Sequence, residues 1–333
     1  MYQVKVSVCI SVYNTEKYIG RCLESVVNQT LKEMEIVIVN DGSTDKSLSI
    51  CEYYRDKYTD RIIKIISQEN KGLAIGRKTG ISNASGEYIA FLDADDYADV
   101  TMYEKMYNYA IKENADIVEA GSLWGNRLLK PKRSGVSNSH DYLRAYFWGN
   151  PYIWPMLWLR IYRRELFNDL SVLPDLYCNN EDIFGFPCLL YKAKTIAFLN
   201  EQLHYYSVDF KDSVERGMKQ NKDKIGKYYS NRKTKLESIN HIRSFIGEDN
   251  LIPFIEEFNQ HIQMRVVEYL HTDICGVTNK QKYSDICYIL KFNSSKEVNR
   301  FIRKNTKNGS KYNITILLLG IKLSKQIKKC LRC

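Results

Sequence analysis

An α/β fold with a mostly parallel central sheet, followed by a C-terminal helical region, is the architecture this sequence predicts. Three observations carry it. Strand-like and helix-like segments alternate through the first 120 residues, polar clusters follow the strands, and from about Asn221 the apolar spacing turns helical. Val6 to Val12 is a β-branched, apolar run, the pattern of a strand buried on both faces. Asn14 and Thr15 are good N-cap residues, and Ile19, Cys22, Leu23, Val26 and Val27 then fall at helical spacing. A second strand is expected at Glu35 to Asn40, and Asp41 to Asp45 is a turn capping a helix with Leu48 and Cys51 on one face. A third strand (Arg61 to Ser67), a third helix (Leu73 to Asn83) and a strand from Tyr88 to Leu92, introduced by Gly86, continue the pattern. Such alternation implies βαβ units and a sheet covered on both faces. Residues 122 to 210 are less regular. Beyond them Leu236, Ile239, Ile242 and Ile246 recur at helical steps, as do Ile255, Phe258, Ile262, Val266 and Leu270.

The chain has 333 residues, enough for a sizeable core, with 44% hydrophobic and 26% charged residues. That composition excludes intrinsic disorder, collagen-like repeats and disulfide scaffolds. The formal net charge of +10 is not spread over the sequence: residues 291 to 333 hold 12 Lys or Arg against a single acid, Glu297. The neutral body argues against a nucleic-acid-binding surface, and the basic end argues for an anionic partner. Nine cysteines lie scattered with no disulfide spacing, no signal region opens the chain, and no apolar stretch approaches the ~20 residues of a membrane span. A reducing, cytoplasmic setting is the expectation. In the tail, Ile316, Leu319, Leu323, Ile327 and Leu331 share one helical face while Lys322, Lys325, Lys329 and Arg332 share another. That arrangement suits peripheral attachment to the inner face of the plasma membrane. The alternative is that the apolar face closes the helical core.

Asp93, Asp95 and Asp96 crowd together directly after an apolar strand. Carboxylates at a strand end repel one another unless a cation intervenes, and Mg²⁺ or Mn²⁺ held by one or two of them plus substrate phosphates is a common solution. A turn with a helix N-cap before Met102 is the other reading. Asp41-Gly42-Ser43-Thr44-Asp45 offers either close backbone approach to a ligand or ordinary loop chemistry. Tyr13, at the end of the first strand, is a candidate stacking platform. Glu181-Asp182 opens a helix, where acids are favoured by the macrodipole, or supplies a general base. The five histidines have no metal-ligand spacing, and Cys330 and Cys333 lack a second pair for zinc. His204 to Ser207 is expected to form a late strand.

In order, Ser11-Val12-Tyr13-Asn14, Glu35 to Asp45, Asn70-Lys71-Gly72-Leu73 and Gly86 to Asp96 resemble the signatures of the family 2 inverting glycosyltransferases, of the bacterial surface-polysaccharide type. Glu181-Asp182 matches the later acidic pair, and Trp158 to Arg164 is similar to a segment often seen before it. Gly76-Arg77-Lys78 departs from the usual Ala-Arg-Asn but retains the arginine. The resemblance implies a GT-A fold over residues 1 to 215, with a nucleotide-binding half (1–120) and an acceptor half (121–215), then a helical region (216–310) and the basic tail (311–333). It implies nucleotide contacts from Ser11, Tyr13, Asp41, Arg77 and Asp93, a divalent metal on Asp95, and Asp182 as the base. Glu181, Trp158 and Arg160 become candidates for acceptor or phosphate contact. The implied reaction moves one hexose or N-acetylhexosamine per encounter from a nucleotide sugar, UDP in the first instance, to a glycan or lipid-linked acceptor. The Gln/Arg-x-x-Arg-Trp signature of processive synthases is missing. Two rivals stay open: a haloacid-dehalogenase-like sugar phosphatase, suggested by Phe91 to Asp95, and a non-catalytic sugar-nucleotide-binding protein.

Overall fold

The computed structural model describes residues 4–175, 180–207, 225–271 and 278–305. The chain divides into two compact units, Met1–Leu143 with Trp154–Phe210, and Arg144–Ile153 with Lys211–Cys333. The helical unit therefore takes in a short internal segment besides the C-terminal region.

In the first unit β1 (Val6–Val12), α1 (Ile19–Val27), β2 (Met34–Asp41), α2 (Ser47–Lys57), β3 (Ile62–Gln68), α3 (Leu73–Ser82) and β4 (Tyr88–Phe91) alternate. Their bounds fall within a residue or two of those expected, except at the start of α1. Asn14 and Thr15 do not cap that helix, because both are used across the next loop. Asn14, at φ +51°, accepts from the Thr44 N–H at 2.8 Å, and the Thr15 N–H donates to Ser47 Oγ at 2.8 Å. The strands run β3-β2-β1-β4, all parallel, and β1 and β2 are buried almost without a break. Helices on both faces of the sheet account for that continuous apolar run. The strand order reverses between β1 and β4, and such a reversal opens a crevice at the carboxyl ends. Tyr13 follows β1 there and Asp93 follows β4.

The remaining elements are β5 (Tyr97–Ala98), α4 (Met102–Lys112), β6 (Ile117–Trp124), β7 (Arg127–Leu129), β8 (Gly135–Asn138), α5 (Ser139–Phe147), β9 (Arg160–Arg163), α6 (Glu181–Lys192) and β10 (Thr195–Tyr206). They extend the sheet as β4-β9-β6-β10-β5, with β6 and β10 parallel and β9 antiparallel between β4 and β6. Several of these strands are two to four residues long and three-residue 3₁₀ turns sit between them, too short for any period to surface in the sequence. Gly76 and Gly80 set how close α3 lies to β1. A Cβ at the first would stand 3.0 Å from Ser11 Oγ, and at the second 3.1 Å from the Cys9 Cβ.

The helical unit contains α7 (Ile225–Ile246), the single turn α8 (Glu248–Leu251), α9 (Ile255–His271), α10 (Asn279–Leu290) and α11 (Ser295–Asn305). Leu236, Ile239, Ile242, Ile246, Phe258, Ile262 and Val266 are buried as expected. Ile255 is instead exposed and Leu270 half-buried, while Val267 and Tyr269 fill the core in their place. Phe147 of the internal segment packs on Phe258, ring centroids 5.1 Å apart. Among the described residues no helix is long and apolar enough to cross a membrane. The basic tail, with Cys330 and Cys333, lies outside them, as do Cys178 and Cys275; Cys9, Cys22, Cys51, Cys188 and Cys287 are free thiols.

Candidate active site

The loop after β4 sends three carboxylates in three directions. Asp93 is half-buried and accepts from Arg77 Nη2 at 2.8 Å. Asp95 is exposed. Asp96 is fully buried, with Oδ1 accepting from the Ser207 N–H at 2.8 Å. Desolvation, then the charges of Asp96 and Asp93, push the Asp95 carboxyl up to about 7. Asp96 is raised further, by burial and by Asp93.

The second acid run opens α6. Glu181 is buried and its Oε1 pairs with Arg77 Nη1. Burial raises the Glu181 carboxyl, Arg77 opposes that, and Asp182 and Asp93 add to it. Asp182 is half-buried in the first helical turn and accepts from the Ile183 N–H at 2.8 Å. Arg77 thus lies beneath both runs, 4% exposed. Burial disfavours its charge, yet Glu181, Asp93 and Asp182 hold the guanidinium above its ordinary range. Arg77, expected at a nucleobase edge, is seated on α3 close against β1 and is held here by two carboxylates, Asp93 and Glu181. Glu181 is likewise enclosed, as the partner of Arg77.

The carboxyl ends of β1 and β2 bring up the rest. Tyr13 is 48% exposed, as a stacking platform requires. Ser11 is half-buried against Gly76. Asp41 is buried, and its carboxylate accepts from Gln68 Nε2 at 2.7 Å, Lys71 N at 3.0 Å and Gly72 N at 2.8 Å. Those bonds fix the loop leading into α3 and leave about one lone-pair direction for a ligand. Gly42, at φ +75°, sits where a Cβ would stand 2.9 Å from Asn70 N, so the close approach read from the sequence is to this loop.

Trp158 and Arg160 are both enclosed by protein. Arg160 has no exposed surface: it pairs with Glu119, donates to the carbonyls of Met156 and Trp154 at 2.8 Å each, and covers Phe186. It opens β9, which is flanked on both sides, and Glu119 is its register partner on β6. Trp158 is 5% exposed and stacks on His204, with centroids 4.2 Å apart. Sequence reasoning also passed over Arg21 and Trp124. Arg21 donates to the Asp95 carbonyl at 3.1 Å, and Trp124 packs on Tyr206 at the carboxyl ends of β6 and β10. Neither carries a local signal, since each meets its partner only through the sheet.

Among the described residues no three His, Cys, Asp or Glu side chains are grouped to hold a metal ion. Asp95, with Asp93 beside it, offers one or two carboxylates, the number Mg²⁺ or Mn²⁺ takes when phosphates supply the remaining ligands. The raised Asp95 carboxyl fits such an ion, since a nearby cation relieves the crowded charge.

The sequence profile described as Glycosyl transferase family 2 matches residues 7–171. The putative glycosyltransferase EpsH of Bacillus subtilis is 30% identical over 281 residues, covering 81% of this chain and 76% of its own. Among solved structures, Staphylococcus aureus TarS 1–349 in complex with UDP superposes at a TM-score of 0.55 with 20% identity, covering 91% and 90% of the two chains. The mannosyltransferase PcManGT of Pyrobaculum calidifontis, in complex with GDP-Man and Mn²⁺, gives 0.51 with 16% identity, covering 96% and 80%. These two similarities speak for the fold.

Proposed function

The chain belongs to glycosyl transferase family 2, and from that premise we propose that it transfers a hexose or N-acetylhexosamine, with inversion, from a UDP-sugar to a glycan or lipid-linked acceptor of a cell-surface polysaccharide. Membership removes both the phosphatase reading and the non-catalytic one. The observation that carries the proposal is that each acid run keeps a carboxylate with access to solvent, Asp95 exposed in one and Asp182 half-buried in the other, beside a shared buried Arg77 that pairs with Asp93 and Glu181.

In this reading Tyr13 stacks on the nucleobase and the open lone pair of Asp41 accepts from its edge. Ser11 lines the same wall. Asp95, helped by Asp93, faces the diphosphate, where a bound Mn²⁺ or Mg²⁺ would neutralise the leaving group. Asp182 accepts the acceptor hydroxyl proton as the attack proceeds from the opposite face of the sugar. Arg77 aligns the two acid runs and touches no substrate. The UDP bound to TarS supports a uridine donor, and the GDP-Man of PcManGT makes a guanosine donor the other outcome of one screen.

The screen is a thermal-shift comparison of UDP- and GDP-sugars with and without Mn²⁺, since binding to the folded state at a hundredfold excess over Kd adds ~2.7 kcal/mol. An NMR reading of the product's anomeric configuration then tests inversion; a retained configuration would sink that part. Membrane attachment is tested separately, by co-sedimentation of full-length protein and a chain ending at Lys311 with anionic liposomes at low and high salt. Equal sedimentation of the two would remove the tail from that role.

A further inference from the structure

Behind the loop 93–96 stands a column of buried polar groups that the transfer reaction does not use. The second carboxylate oxygen of Asp96, Oδ2, lies 3.4 Å from Nε2 of His204, and both residues are shut away from solvent. Neither of these two atoms has a hydrogen-bond partner of good geometry. On the other side of the ring, His204 Nδ1 lies 2.9 Å from Ser122 Oγ, and Trp158 covers the imidazole with planes 19° from parallel. When Ser122 donates to Nδ1, the ring proton sits on Nε2, on the side of the ring next to Asp96. Burial keeps the ring neutral.

A second grip comes from α1. Arg21 Nη2 donates to the Asp95 carbonyl at 3.1 Å and to Ser207 Oγ at 2.8 Å. The guanidinium lies over Tyr97 at 4.6 Å, and Tyr97 stacks on Tyr205 with centroids 4.7 Å apart. Elements far apart in sequence, α1, β6 and β10, therefore converge on one four-residue loop. They hold it by the Asp95 backbone and the Asp96 side chain, and they leave the Asp95 carboxylate outside the grip. A buried Asp–His contact is a poor way to gain stability, since apolar residues of the same volume do as well or better. What such a contact does supply is a fixed loop position, and a site carboxylate needs placement to within about half an ångström.

We propose that His204 and Arg21 are positioning residues which, through Asp96 and Ser207, lock the loop 93–96 to the end of β10 and so aim the Asp95 carboxylate. The aim rests on the role given to Asp95 above; the lock does not.

The test compares full-length wild type with His204→Phe, which keeps a ring under Trp158 but loses the Nε2 donor, and with Arg21→Gln at an exposed position. Amide hydrogen exchange of ligand-free protein is followed in peptides covering 93–98 and 203–207. Exchange there should quicken about tenfold in His204→Phe and severalfold in Arg21→Gln, with β1 and β2 peptides unchanged. Turnover of a UDP-sugar should fall about tenfold in kcat in His204→Phe, with UDP affinity within about threefold. Unchanged loop exchange in both variants overturns the proposal. So does a uniform quickening that includes β1 and β2, or a quickened loop with unaltered kcat, because either reduces the column to a prop. Should His204→Phe fail to fold, Arg21→Gln decides alone. Should wild type turn over no UDP-sugar, the donor assignment falls, and loop exchange still decides the lock.

Discussion

The two acid runs, Asp93–Asp96 after β4 and Glu181–Asp182 at the start of α6, read alike in the sequence and are built alike in the structure. Each turns one acid inward against a buried partner, Asp96 toward His204 and Glu181 onto Arg77, and leaves its neighbour less enclosed, Asp95 exposed and Asp182 half-buried. They differ in what holds the inward member. Glu181 faces a full positive charge, so its contact is an ion pair, whereas Asp96 faces a neutral imidazole and a backbone N–H. In the proposed mechanism the less enclosed acids answer to chemistry, and their contacts tie the inward ones to the frame. Variants should therefore separate into those that lose activity and those that lose stability.

The sharpest break is expected at Asp182, the proposed base. Asp182→Asn should lower transfer about a thousandfold, ~4 kcal/mol on the barrier, while donor binding and thermal midpoint hold. A loss below about tenfold would be too small for an essential base. Asp95→Ala should likewise abolish transfer and weaken metal-dependent UDP binding, read by the same assay and a titration with Mn²⁺.

Next in size is the inward frame. Arg77→Met should cost about 3 kcal/mol in urea unfolding, because it leaves Glu181 and Asp93 without their buried counter-charge. Adding Glu181→Leu should recover a good part of that stability without restoring activity. If the single variant unfolds like wild type, Arg77 is not the frame and the comparison fails.

A smaller effect belongs to Asp95. Its carboxyl is raised to about 7, so between its unfolded value near 3.8 and that point the native state holds a proton the unfolded chain releases. Stability therefore falls as pH rises through that window, and the penalty is complete above it. Allowing for solvent screening of an exposed group, the effect is of order 1 kcal/mol. Asp95→Asn in EDTA should flatten the slope and raise the midpoint at about pH 8 but not at about pH 4. A wild-type midpoint that climbs through this window would contradict the sign. Least of all should come from the exposed Lys105–Glu201 pair, 2.7 Å apart, whose removal should shift stability by less than about 0.5 kcal/mol.

The nucleotide half of the sheet was legible in the sequence because β1 to β3, of seven or eight residues, and helices of nine to eleven are long enough to display a period, while the short β4 was marked by Gly86 before it and the acid run after it. Residues 122–210 were less legible: α6 and β10 are twelve residues each, but the strands and 3₁₀ turns around them are too short to show a period. The same limit governs the site. Sequence named Tyr13, Asp41, Asp93, Asp95 and Asp182 as candidates because each stands at a strand end or opens a helix, while Ser11, inside β1, came only with the family resemblance. It could not say which acid of a run turns inward. That choice depends on Arg77, His204, Ser122 and Ser207, brought up from other strands and helices, and on β9 slipping between β4 and β6 to enclose Arg160. A buried charge must find its counter-charge or donor wherever the chain's path delivers one. That pairing is long-range, so only the tertiary structure decided it.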